Sequence, residues 1–129
     1  MNWRRRRFGV DLDNCTRVEL LRVFFNARYY FPDAEVDVKK TRKGYHLRIY
    51  KSHRLEQNLD VRRALLDDPT RIKFDEMRIM HPELHSWIDT LFQCKRQNGK
   101  VISREEPCNI FAEAFATQLP SRKPSSFLG

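Results

Sequence analysis

The chain has 129 residues, 40% hydrophobic and 33% charged, with four glycines and six prolines. That length suits one domain with a hydrophobic core and is too short for two ordinary ones, and the composition is neither disordered nor fibrous. Twenty-five Lys and Arg against 17 Asp and Glu give a formal charge of +8, which points to a polyanionic partner, nucleic acid first and nucleotides second.

At the start, Met1-Asn2-Trp3 runs into Arg4, Arg5, Arg6 and Arg7. No apolar stretch here resembles a signal peptide, and none anywhere approaches the roughly 18 to 20 residues that cross a bilayer. A soluble, cytoplasmic protein with no membrane partner is expected. Residues 1–7 read as a basic arm able to hold phosphates, with Trp3 or Phe8 available for stacking, or as a solvated entrance to the first strand.

Phe8-Gly9-Val10-Asp11-Leu12-Asp13 alternates with period two, as a half-buried strand does, with Phe8, Val10 and Leu12 inward. Thr16 followed by Glu19 is a capping box, and Val18, Leu21, Phe24, Phe25 and Tyr29 recur at helical spacing until Pro32. The spacing predicts a helix over about 16–30. Residues 35–40 and 45–51 are β-rich and separated by Thr41-Arg42-Lys43-Gly44, a hairpin whose Gly is available for positive φ. Leu55, Leu59, Val61, Leu65 and Leu66 suggest a second helix closed by Asp67-Asp68-Pro69. Alternation from Thr70 to Met77 then predicts a last strand with Ile72 and Phe74 inward.

The order β-α-β-β-α-β is that of an α+β, ferredoxin-like (RRM-like) fold, a four-stranded antiparallel sheet with both helices on one face and the other face open. Residues 8–80 are the expected core and 81–119 a helical extension, with helices at His81 to Phe92 and Asn109 to Leu119 around a polar loop at 95–100. Residues 120–129 read as a flexible tail.

Strand parity sends Asp11 and Asp13 to the open face, with His46, Arg48 and Tyr50 from the third strand and Arg71, Lys73 and Asp75 from the fourth. The first strand would lie between those two, so Asp11, Asp13, His46 and Asp75 are expected to converge. Carboxylates at i and i+2 stand about 6.6 Å apart along a strand, close enough to flank a hard cation such as Mg or Mn.

These residues carry a resemblance. Gly9-Val10-Asp11-Leu12-Asp13, then Gly44-Tyr45-His46, then Lys73-Phe74-Asp75 resembles the three ordered motifs of the catalytic core of archaeo-eukaryotic primases and primase-polymerases. The match spans residues 9–75. It implies that Asp11, Asp13 and Asp75 bind two divalent metals and that His46 contacts the triphosphate of an incoming nucleoside triphosphate. Lys43 and Arg48 would be further phosphate contacts. The chain is shorter than most of that superfamily, as a minimal member from an archaeal virus or plasmid would be, and Gly44 stands where the family carries a small hydroxyl residue.

The segment from Lys43 to Tyr50 partly matches the ribonucleoprotein octamer of RNA-recognition modules, but parity exposes His46 and Arg48 where that motif stacks aromatics. His81 and His85, four apart, lack the Glu placement of a zincin, although a zinc site with Cys94 is conceivable by spacing. Cys15, Cys94 and Cys108 are an odd set without CxxC spacing and read as thiols. No phosphate-binding Gly-rich loop or nucleophile elbow is present. The expected function is a minimal nucleotidyltransferase acting on DNA or RNA, catalytic residues Asp11, Asp13, Asp75 and His46, with Lys43, Arg48, Lys73 and Arg4 to Arg7 on phosphates and a replication protein as a further partner. The alternative is a noncatalytic nucleic-acid-binding or replication-accessory protein. Oligomeric state is not fixed by the sequence.

Overall fold

The computed structural model describes residues 4–110 and Ala112. Trp3, most of the helix expected at 109–119 and the tail at 120–129 lie outside the described residues. The chain is a mixed α/β protein with antiparallel sheets, one of them four-stranded.

Its first half follows the hydrophobic pattern. After a two-residue strand β1 (Arg4–Arg5), strand β2 (Phe8–Asp13) buries Phe8, Val10 and Leu12. Helix α1 (Arg17–Tyr30) starts at the capping box: Glu19 N–H donates to Thr16 Oγ1 at 3.1 Å, and the Glu19 carboxylate accepts from Thr16 N–H at 3.2 Å. Leu20, Val23 and Ala27 are its buried stripe. Strands β3 (Glu35–Lys40) and β4 (Gly44–Tyr50) form the expected hairpin, and β2 pairs antiparallel with the other side of β4, setting Val10 opposite Leu47 and Asp11 opposite His46. Val38, Tyr45, Leu47 and Ile49 meet Phe8, Val10, Leu12 and the α1 stripe in one core.

Gly44 is needed for a reason other than the expected one. Its φ is not positive; a Cβ at this position would run into the carbonyl oxygen of Leu12 on the neighbouring strand. The turn is closed instead by Thr41, whose N–H donates to Gly44 O at 2.8 Å and whose Oγ1 accepts from Gly44 N–H at 3.0 Å.

Beyond the short strand β5 (His53–Arg54), which pairs with β1, helix α2 (Leu55–Ala64) appears as expected. The fourth strand does not. Residues Pro69–Ile79 form helix α3, with Asp68 as N-cap accepting from Thr70 N–H at 2.9 Å and Pro69 in the first turn. Asp-Pro-Thr is a helix start signal, because proline's missing N–H is one that a first turn leaves unbonded anyway. Ile72 is buried, as alternation also required, but Phe74 is 53% exposed, and the residue buried one turn from Ile72 is Asp75. A charged residue on the buried stripe hid the helical period.

The sheet order is therefore β2-β4-β3-β8, with β8 (Glu106–Pro107) on the far edge, and the complete ferredoxin-like order is not found. No described strand flanks the other edge of β2, whose backbone groups are bonded instead by three side chains and one backbone N–H. The Asp89 carboxylate accepts from Gly9 N–H at 2.9 Å, Asp67 Oδ1 accepts from Asp11 N–H at 2.8 Å, Arg71 donates to Gly9 O at 3.3 Å, and Asp68 N–H donates to Asp11 O at 3.1 Å. The backbone groups of an edge strand need partners when buried, and this strand finds them in the link between α2 and α3, in the first turn of α3 and in the loop that carries Asp89.

The last described part covers the face expected to be open. A 3-10 helix (Pro82–Trp87) takes the place of the longer helix expected to Phe92, and residues 88–93 then cross beside Gly9, with Ile88 and Leu91 buried. The expected polar loop at 95–100 is a hairpin of β6 (Cys94–Gln97) and β7 (Lys100–Arg104). Its tip is Asn98-Gly99, both at positive φ (52° and 77°), the preference of a two-residue hairpin turn.

Candidate functional site

Asp11 and Asp13 leave β2 on the face away from α1, as parity requires, and His46 stands opposite Asp11 on β4. His46 Nε2 lies 3.5 Å from Asp11 Oδ1, an oxygen that is buried and accepts no hydrogen bond. The other ring nitrogen, Nδ1, contacts Glu105 Oε2 at 2.5 Å, and Arg48 donates to both oxygens of Glu105 at 3.0 and 2.8 Å. Burial holds the His46 imidazole below its ordinary pKa, against the pull of Glu105. Glu105 is pushed up by burial but held below the usual carboxylate range by Arg48 and His46. An ionised Glu105 can only accept, so His46 Nδ1 is the donor of that contact.

Asp11 has the opposite shift. Burial, a hydrogen bond with Asp13 and the Asp13 charge raise its carboxyl to about 7. Two neighbouring carboxylates, one of them buried, hold a proton between them unless another positive charge takes its place. Asp68, at the start of α3, completes the group: one carboxylate oxygen from each of Asp11, Asp13 and Asp68 lies within 4.8 Å of the others. Three carboxylates, one with an orphaned oxygen, suit a hard divalent cation such as Mg or Mn.

Asp75, the third expected ligand, stands outside this carboxylate group although it lines a cleft with Asp11 and Asp13. It accepts from Arg62 at 2.6 Å, from Arg78 at 2.8 Å and from Asp89 N–H at 3.0 Å. Burial would raise its pKa, but these donors hold it low. It anchors a buried ionic network. Arg62, wholly buried, also binds Asp67 at 2.7 Å and Asn58 at 3.0 Å. Arg71 joins Asp67 at 2.6 Å to Asp89 at 3.1 Å.

The other expected contacts divide. Lys43 is exposed on the β3–β4 turn and lines a cleft of about 580 Å³ together with Asp11, Asp13 and His46. Arg48 is 6% exposed and spent on Glu105, so it is not a free phosphate contact. Lys73 is exposed on α3 outside that lining. The basic start is not a free arm over residues 4–7: Arg4 and Arg5 pair with Arg54 and His53, Arg4 also reaches Ser52 Oγ at 3.1 Å, and Arg7 lies 4.0 Å from Asp89, while Arg6 is exposed. His81, His85 and Cys94 do not come together as a metal-holding group among the described residues. All three cysteines are free thiols; burial and Glu19 push Cys15 up to about 11.

Sequence reasoning missed Glu105 and Asp68. Asp68 was legible as a cap residue before Pro69; Glu105 had no signal, since its partner lies 59 residues earlier. Compared with protein-family models, curated proteins and solved structures, the chain matches none. No described helix is long and apolar enough to cross a membrane.

Proposed function

We propose that the protein is a minimal primase-polymerase-like nucleotidyltransferase that uses divalent metal on Asp11, Asp13 and Asp68 to act on nucleic acid and a nucleoside triphosphate in replication. The observation that carries this reading is the convergence of three carboxylates, one with a buried, unpartnered oxygen, two of which, Asp11 and Asp13, line a cleft together with Arg42 and Lys43. The residues fit a hard cation, and Asp68 takes the ligand role that the sequence pattern gave to Asp75. Bound there, such a cation would supply charge neutralisation for a phosphoryl group in an in-line displacement. The chain's own contribution is positional: β2 fixes Asp11 and Asp13 two residues apart, Glu105 and Arg48 fix the His46 ring, and Lys43 and Arg42 face the polyphosphate.

A second reading, a noncatalytic nucleic-acid-binding accessory protein, is favoured by the fate of Asp75, whose carboxylate is consumed by Arg62 and Arg78. Calorimetric titration of manganese separates the two. The first reading expects binding to the wild type that tightens with a nucleoside triphosphate and is lost in Asp11→Ala and in Asp68→Ala. Absence of binding to folded wild type leaves the accessory role.

A further inference from the structure

The cleft above the acidic floor has an apolar wall that the metal chemistry does not use. Phe74 from α3, Trp87 at the end of the 3-10 helix and Phe92 from the following loop all line it, at 53%, 57% and 63% exposure. Three large aromatics left in solvent on one cleft are a feature of interaction sites. The Arg78 guanidinium lies over the Phe74 ring, 5.8 Å from its centroid.

The β6–β7 hairpin beside this wall carries charge of one sign, while the carboxylates of Asp11, Asp13, Asp75 and Glu105 also line the cleft. Lys95 and Arg104 from the β6–β7 hairpin also line the cleft. Residues 94–104 contain four Lys or Arg (Lys95, Arg96, Lys100 and Arg104) and no Asp or Glu. Flat apolar rings interleaved with cations match a ligand that alternates flat faces with negative charges. Within a duplex the base faces are stacked on each other and closed to side chains; in a single strand they are free.

We propose that this wall is a stacking site for unpaired bases of a single nucleic-acid strand, with Phe74, Trp87 and Phe92 on the bases and Lys95 and Arg104 on the phosphates. The proposal names the substrate of the site described above and rests on that reading for what is done to the strand; binding of the strand needs no metal. The hairpin and the aromatic wall hold the strand across the carboxylates, and a paired segment is excluded from the rings.

Fluorescence anisotropy of a labelled oligothymidylate, in chelator, tests it. Wild type binds, and Phe74→Ala and Phe92→Ala each weaken binding on the order of tenfold with unchanged melting temperature. Phe92→Trp restores it. Duplex DNA and heparin, a polyanion without bases, compete poorly. Equal binding by the alanine variants, or equal competition by heparin or duplex, overturns the stacking site. Manganese binding with no strand binding would overturn this inference and leave the metal reading standing; strand binding with no manganese binding would do the reverse.

Discussion

Asp11 and Asp75 show how little a residue's type says about its role. Both are aspartates in the same ordered pattern, yet one carboxyl is raised to about 7 and the other is held low. The difference is in donors: Asp75 faces two guanidinium groups and a backbone N–H, whereas Asp11 faces another carboxylate and an imidazole. The signs oppose. A carboxyl whose folded pKa lies above its ordinary 3.8 binds its proton better in the folded state, so ionising it destabilises the fold as pH rises from about 4 to 7. In metal-free protein, Asp11→Asn is expected to be more stable than wild type at pH 8, by on the order of 2 kcal/mol, and equal to it near pH 4. Urea denaturation at the two pH values checks this. Asp75 contributes in the other direction: its stabilisation is present above the ordinary carboxylate pKa and lost as pH falls through its lowered folded value.

At the scale of elements, the first 50 residues were legible because each pattern is local. Period-two alternation in β2 and β4 and a capping box before α1 need only neighbours within a few residues. The segment after Pro69 is a helix where its pattern suggests a strand, because a strand and a helix with one buried charge look alike over eight residues, and Asp67-Asp68-Pro69 can equally close one helix or open the next. Gly44 belongs to this scale too. The backbone of β4 passes so close to Leu12 that no side chain fits. Gly44→Ser is therefore expected to destabilise by about 3 kcal/mol or more, read as a shift in urea midpoint, whereas Gly99→Asn at the open hairpin tip, a residue that tolerates positive φ, should cost under about 1 kcal/mol.

For the molecule as a whole, the ionic network stands where a fourth strand would in the expected topology. Arg62 from α2, Asp67 before α3, Asp75 within it and Asp89 beyond it tie three segments to the free edge of β2. Removing one member leaves buried charges without partners. Arg62→Ala is expected to cost about 3–5 kcal/mol or to prevent folding. The exposed Arg63, paired with Asp60 and Glu76, should cost less than about 1 kcal/mol as Arg63→Ala. Chemical denaturation of the pair decides whether the network or the general loss of arginine matters. The same network gives the site its shape: Asp67 and Asp68 are adjacent, so the edge contact to Asp11 N–H also delivers the Asp68 carboxylate.

The sequence by itself determined the β2-α1-β3-β4 unit, the parity that sets Asp11, Asp13 and His46 on one face, and the basic charge, because periodicity and composition are properties of the chain. Tertiary structure decided what completes that face. Whether β2 is met by a strand or by carboxylates and guanidinium groups, whether Asp68 or Asp75 stands beside Asp11, and whether Glu105 reaches His46 depend on contacts between segments far apart in sequence. No local pattern encodes such contacts, since each is fixed only when the buried charges find partners together.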